Sequence, residues 1–476
     1  MAREVWHAST SNMAKDDSDK PPNHRLSEMM CPVTLADVDL FGPGAQEHWY
    51  EAYEILHAEA PVHSIPGEGL GPDSDGYILS KYSDIARVVK DPARFRTMLN
   101  VAIDGIRPAI EQAHAAGTEP ELPAAVNAMI VSMATLRPTQ ELYRAHRQEL
   151  TDPWVGPGAT RHSEMITRFA DELIDGWIER GRVEFVSEFA RPLPQLVLAT
   201  ILGFPREDIP QLADWGTFQV MPFVYGRGHR NKLSRQQLAS QSEALEGFGQ
   251  YVKDQVAEKR RRPQDDMVSF LTQVTYQALD RKLSDVEIIG IVYAMVLGGL
   301  ETTQYALEEQ AQLLCDDPAL FRELRADRSK LRSFTEEAMR VRAPTQGLST
   351  RMTTQDEVFQ GVQVPKGSVL HLRFAAGNVD EEEYACPHQI QLDRKRVGGH
   401  LTFSQGPRIC PGAGISRLEQ TIAWDRLFDR IESLAYAPGN DFLHQPGIML
   451  GTLELHLDFE PAARRRESKE FLDGDD

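Results

Sequence analysis

Cys410 is the side chain whose neighbours most suggest chemistry. Residues 400–417 read HLTFSQGPRICPGAGISR, so Phe403, Gly406, Arg408, Cys410 and Gly412 fall within ten positions, and a helical pattern begins directly after Gly412. The thiolate is the nucleophilic and metal-binding form of cysteine, and the partial positive charge of a helix N-terminus favours it. Glycines at 406 and 412 let backbone approach a flat ligand and aim N–H groups at sulfur. An arginine two positions before the cysteine can neutralise a carboxylate on the same ligand. Together these suit a loop that grips a metal porphyrin through sulfur.

Two other groups stand out. Gly298-Gly299-Leu300-Glu301-Thr302-Thr303 interrupts a long apolar helical pattern. Mid-helix glycines cost about 1 kcal/mol each relative to Ala, so the pair needs a reason. Close helix–helix packing is one; a widened turn that shows an acid and a hydroxyl to a ligand is the other. Glu337 and Arg340 stand at i and i+3 on a later helix and can pair on one face.

The elements that must position these groups are mostly helical. Residues 47–60, 164–180 and 183–202 carry apolar residues at helical spacing, and 235–262 forms a long charged amphipathic helix that Pro263 stops. Ser284 and Glu287 have capping-box spacing, and the helix they start runs about thirty residues to Asp316, apolar on every face in its middle. Strands are expected at 76–80, at 357–374 with turns at Gln360–Gly361 and Lys366–Gly367, and near 451–459. The fold class is mainly α with a minor β part: a tail over 1–35, one catalytic domain over 36–462, and a polar tail over 463–476.

Composition narrows the function. The 476 residues carry 51 Lys+Arg against 71 Asp+Glu, a net charge of −20, with 41% hydrophobic residues. That is a globular composition. The acidic balance speaks against nucleic acid and against an anionic membrane surface. No signal-like or 18-residue apolar run is read, so a cytoplasmic protein with no membrane partner is expected. Cys31, Cys315 and Cys386 are too scattered for a disulfide framework and read as small buried hydrophobes.

The pattern FxxGxRxCxG, filled here at Phe403, Gly406, Arg408, Cys410 and Gly412, resembles the haem-binding loop of the cytochrome P-450 monooxygenases. With it, GGLET at 298–302 is similar to the family's distal-helix segment, and Glu337…Arg340 to its ExxR pair. The resemblance covers roughly residues 46–459. It implies the cytochrome P-450 fold, with a long central helix over a buried haem b (iron protoporphyrin IX). Cys410 would be the iron ligand, Glu301 a proton relay and Thr302 a hydrogen-bonding partner of dioxygen and water. Glu337, Arg340 and, in the meander, Arg394 would brace the cysteine loop.

The resemblance places Arg408 and Arg351 on the haem propionates, with Phe403, Gly412, Gly299 and His400 as further cofactor neighbours. A third propionate anchor falls on Arg144, or on Arg147 one turn away; Gln140 stands where the family pattern carries a histidine. Leu297, Gly298, Leu348, Ile448 and Met449 are candidate walls of a substrate pocket. Residues 97–136 would add helix above it, and 215–230 would form a lid. The implied activity is hydroxylation, O-dealkylation or epoxidation of a small, largely apolar organic substrate with dioxygen. Electrons would come from a ferredoxin or flavodoxin and its NAD(P)H-dependent reductase, docking near Arg408 and Arg417. A peroxide-driven enzyme, an isomerase or dehydratase of the same fold, and a haem sensor are the competing readings; the acid–alcohol pair favours the electron-fed type.

Overall fold

Ser284 begins the helix around which the rest is arranged. The computed structural model describes residues 31–42, 44–70, 74–116, 118, 124–224, 233–347 and 350–462. In chain order it runs through α1 (Trp49–Glu59), β1 (Val62–Ile65), β2 (Gly76–Leu79), α2 (Tyr82–Lys90), β3 (Phe95–Thr97), α3 (Met98–Ala116) and α4 (Ala124–Leu136). Next come α5 (Gln140–His146), α6 (Asp152–Val155), α7 (Ser163–Asp175), β4 (Arg182–Glu184), α8 (Pro192–Leu202), α9 (Ile209–Val224), α10 (Arg235–Arg261), α11 (Met267–Gln273), β5 (Thr275–Tyr276) and β6 (Arg281–Lys282). Then follow α12 (Asp285–Gly299), α13 (Thr302–Asp316), α14 (Pro318–Ala326), α15 (Leu331–Val341), β7 (Thr350–Thr353), β8 (Glu357–Phe359), β9 (Val362–Val364) and β10 (Val369–Leu372). The chain closes with α16 (Phe374–Asn378), α17 (Ala413–Arg430), β11 (Ile431–Tyr436) and β12 (His456–Pro461).

The central rod is α12 and α13, parted at Leu300–Glu301. Its N-terminus is closed by the expected capping box: Ser284 N donates to Glu287 Oε2 at 2.9 Å, and Arg281 holds both oxygens of that carboxylate. By composition Asp285–Asp316 is apolar enough to span a bilayer, but in this fold it is an interior rod packed against α4, α8, α9 and α10. Ile288, Val292, Val296 and Leu307 are buried there with Phe185, Phe189, Phe248, Phe334 and Trp424 in the main core.

Behind the cysteine loop the rod is tied to α17 by a buried polar chain. Thr303 donates to Ser416 Oγ at 3.0 Å, Gln310 to Gln420 Oε1 at 2.5 Å, and the Trp424 indole to Gln310 Oε1 at 2.6 Å. The two layers that flank the site are thereby fixed to each other.

A five-stranded sheet runs β1-β2-β10-β7-β3, with β10 and β2 parallel and the other pairs antiparallel. It places Arg351 opposite Leu370 and Thr97. The expected turns at Gln360–Gly361 and Gly367 are present, all at positive φ. A second sheet, β11-β12-β4, departs from expectation. Residues 182–184 pair with β12 and are not helical; of the helix expected over 183–202, a π-helical turn forms at Val186–Ala190 and the α-helix begins at Pro192, where a missing N–H costs nothing. Residues 215–224, expected as lid, continue α9; 225–230 lie outside the described residues. Within 97–136 the described residues form two helices, α3 and α4, after the end of β3, and α4 lies along α12. Cys31 and Cys386 are exposed and only Cys315 is partly buried, unlike the buried thiols expected.

Candidate active site

Cys410 sits between a reversed turn and the start of α17. Its backbone N–H donates to Phe403 O at 2.9 Å, closing the loop on itself. Gly406 makes the turn at φ +70°, pressed against Val89 and Lys90 backbone where a Cβ would collide. Burial pushes the Cys410 thiol up, opposed by the N–H groups of Gly412 and Ala413 and by Arg147 and Arg417; a coordinating metal removes the proton outright. Gly412 is the N-cap of α17, with a side-chain position 3.9 Å from the sulfur.

Two ionic braces hold this loop. Glu337 and Arg340, both fully buried, are joined by two bonds of 2.8 and 2.9 Å, and Arg394 donates to Glu337 Oε2 at 2.9 Å. Arg340 also donates to the carbonyls of Asn378 and Gln389 at 2.9 and 3.0 Å. Burial works against the Glu337 carboxylate, yet Arg340, Arg394 and the Gln391 N–H hold it below its usual range.

The second brace was absent from the sequence reading. Glu336, beside Glu337, takes His400 Nε2 at 2.8 Å and both Nε and Nη2 of Arg417. Against the upward push of burial, these partners hold Glu336 at about 2. His400, expected beside the cofactor, is therefore committed to Glu336. Arg417, expected on the partner-docking face, is engaged in the same brace and lies 4.5 Å over the Phe403 ring.

A different set of cations gathers near Tyr143. Arg408 lies 3.9 Å over the Tyr143 ring and Arg137 5.7 Å from it. Buried Arg351 donates to Thr350 O at 3.0 Å. Burial, and then the Arg408 charge, lower Arg351 to about 10; Arg137 is lowered to about 10 by burial first and by Arg408 and Arg147 beside it. The Nε atoms of Arg137 and Arg408, and both ring nitrogens of buried His146, have no hydrogen-bond partner among the described residues.

Arg144 is not in this set. Thr139 caps α5 by accepting from Leu142 N at 3.2 Å, and that phase turns Tyr143 and His146 inward and leaves Arg144 exposed. Arg147, on the inner side, donates to Asp152 Oδ1 at 2.7 Å and to Ile409 O at 2.8 Å, next to Cys410. Gln140 starts α5 and is partly buried. Arg137 was missed because it precedes the helix, where periodicity carries no signal.

At the break in the rod, Thr302 donates to Gly298 O at 2.8 Å, which leaves its oxygen lone pairs as acceptors. Glu301 is the N-cap residue of α13, and its Oε2 accepts from Tyr305 at 2.8 Å. Burial pushes the Glu301 carboxyl up, opposed by Tyr305 and by Arg191. The two glycines divide the two reasons offered for them. A Cβ at Gly299 would press on Leu198 of α8 at 3.2 Å, so the glycine there permits close packing; a Cβ at Gly298 would meet nothing within 4 Å.

Leu297 is partly buried on α12. Ile448 and Met449 are buried against residues 345–346, with Gln346 N donating to Ile448 O at 3.0 Å. Leu348 lies outside the described residues.

The sequence model described as Cytochrome P450 matches residues 212–457, more than half of the chain. The chain belongs to the cytochrome P450 family. A relative described as Cytochrome P450 CYP107DY1, from Priestia megaterium, is 29% identical over 57% of this chain, an alignment that takes in 63% of that protein. Cyclomarin C epoxidase CymV from Salinispora arenicola is 28% identical, over 78% of this chain and 88% of the relative. Among solved structures, P450BioI, crystallised with a hexadec-9Z-enoic acid ligated acyl carrier protein, shares the fold with a TM-score of 0.72 at 24% identity, covering 87% of this chain and 99% of that one. This P450 is a monooxygenase-class oxidoreductase with haem b as its cofactor. The residues present fit that group: a sulfur under backbone N–H donors, and a knot of buried cations with unpaired donors that suits two anionic propionates.

Proposed function

We propose that this P450 uses dioxygen and two electrons from a ferredoxin or flavodoxin with its NAD(P)H-dependent reductase to place one oxygen atom in a small, largely apolar organic substrate, in the bacterial cytoplasm. The balance is substrate C–H, O2, two electrons and two protons giving the alcohol and water; an alkene gives an epoxide by the same count. Bound haem supplies the redox chemistry on dioxygen. Cys410 would hold it through the thiolate, with Arg137, Arg351 and Arg408 on the propionates and Phe403 beside the loop. Glu301 and Thr302 would deliver the two protons from the break in the rod. Relatives that include an epoxidase support oxygen insertion as the reaction class.

One observation carries the reading: Arg137 and Arg408 lie against the Tyr143 ring, the Arg408 charge also bears on buried Arg351, and unpaired donors on Arg137 and Arg408 stay buried, an arrangement that an anionic ligand would stabilise. The apolar lining around Leu297, Ile448 and Met449 supports an apolar substrate. The test begins with a carbon monoxide difference spectrum of the reduced protein, which should show thiolate-ligated haem. It continues with a compound library scored by the change in haem absorption on water displacement. NADPH-driven product formation with a surrogate ferredoxin pair then decides for the electron-fed enzyme; equal turnover with peroxide alone decides against it.

A further inference from the structure

Four positions after Glu301, α13 carries a residue that nothing above has used. Tyr305 is 3% exposed, and its hydroxyl donates to Glu301 Oε2 at 2.8 Å. This is an i,i+4 contact across the first turn of α13, with the acid at the N-cap position where the rod is broken (φ −118°, ψ −35°). An acid at such a break has torsional freedom that a helical residue lacks. A single fixed oxygen removes most of it.

The ring itself is held from behind. Gly451, in the loop after Met449, faces it so closely that a Cβ there would collide with the ring carbons. The absence of a side chain at 451 therefore sets where the Tyr305 hydroxyl lies. Three neighbours bear on the pair besides each other: Arg191 from the turn before α8 acts on Glu301, Glu308 on α13 acts on Tyr305, and Gln445 of the 443–452 loop bonds the phenol. Burial, Glu301 and Glu308 keep the phenol protonated well above its ordinary range, so it acts as a fixed donor and does not itself titrate.

We propose that Tyr305 is the positioning residue of the proton donor: by holding Oε2 of Glu301 it leaves Oε1, the oxygen that bears the proton, turned to Thr302 at the break in the rod. Thr302 is suited to receive it. Its own O–H is given to Gly298 O, so its lone pairs face outward as acceptors. The step moves one proton: Thr302 Oγ1 accepts it from Glu301 Oε1 as the Thr302 O–H swings off Gly298 O and passes its own proton to reduced oxygen; Glu301 is reprotonated afterwards, and no electrons move in the step. This deepens the proposed function and rests on its acid–alcohol pair.

Tyr305→Phe removes one O–H and keeps the ring against Gly451. Gly451→Ala keeps the hydroxyl and displaces it. Glu301→Gln is the reference. The first readout needs no haem: the infrared carbonyl band of protonated Glu301, assigned by its loss in Glu301→Gln. In Tyr305→Phe that band should shift and persist to higher pH, since the bond from Tyr305 favours the carboxylate. The second uses the haem-loaded enzyme with NADPH and a surrogate ferredoxin pair. Hydrogen peroxide released per NADPH should rise about threefold to tenfold in both Tyr305→Phe and Gly451→Ala, a part of the roughly hundredfold or greater worth of a positioned proton donor. The pH profile of coupling should move up with the infrared titration. An unchanged band, titration and peroxide yield in Tyr305→Phe, with Glu301→Gln impaired, overturns the proposal alone. Unchanged coupling in Glu301→Gln overturns the acid–alcohol reading and this proposal with it. A wild-type protein without the thiolate-type carbon monoxide spectrum removes the enzyme reading, while the infrared comparison still reports on the Tyr305 contact.

Discussion

Two charged regions lie on either side of the Cys410 loop, and they are built oppositely. On one side Glu336 and Glu337 are each matched by two basic side chains, and these charges hold one another. On the other, Arg408 beside Tyr143 repels both Arg137 and Arg351, and donors on Arg137 and Arg408 remain unpaired. A buried ion pair is a closed unit, and breaking it costs stability in the chain alone. Clustered like charges with free donors cost stability until an anion arrives. The first region is scaffold; the second is the ligand seat of the proposed function.

That contrast can be broken at several points. Cys410→Ser should remove the thiolate-type carbon monoxide spectrum and all NADPH-driven oxidation, while leaving both charged regions folded; survival of that spectrum would end the haem-thiolate reading. Glu337→Ala strands Arg340, which has no exposure, and should lower unfolding stability by about 3–5 kcal/mol in apoprotein and holoprotein alike, measured by urea titration. The Glu336 brace should show in acid. Its carboxyl is held at about 2 against the ordinary 4.5, so its contribution is present above 4.5 and is lost as pH falls toward 2. Glu336→Gln should flatten the stability–pH curve across that interval.

On the other side, Arg137→Gln should weaken haem retention about tenfold, the worth of one charge-assisted bond. Urea stability of the apoprotein should not fall; transfer of haem to an apoprotein acceptor measures the first and urea titration the second. Arg144→Ala, exposed and outside the cluster, should change haem retention by less than twofold. If the two arginines behave alike, the seat has been drawn in the wrong place.

The motif residues were legible in advance because they lie close together in the chain. Glu337 and Arg340 need only three positions of helix to meet, and Ser284 needs only three to reach Glu287. Arg394 was found through family resemblance, and the structure brings it to Glu337. What escaped depended on phase and on distant partners. The start of α5 at Gln140, one residue after its Thr139 cap, decides that Tyr143 faces in and Arg144 out. Glu336 carries no spacing signal of its own, and only the fold lays His400 and Arg417 against it. Val183 and Glu184 opened the helical pattern expected over 183–202, but β12 offered residues 182–184 a ladder to join.

By itself the sequence determined that a cysteine lies in a glycine-bounded turn at a helix start, that an acid and an alcohol stand together in a broken apolar helix, and that the chain is mostly helical. Those facts are local, set by side chains a few bonds apart. Only the tertiary structure decided which arginines come together around Arg408, which cations are bound into braces, and that Tyr305 reaches Glu301 with Gly451 behind it. The reason is that these depend on burial and on partners far apart in the chain, as Arg137 and Arg408 are, and neither is written in the spacing of any one segment.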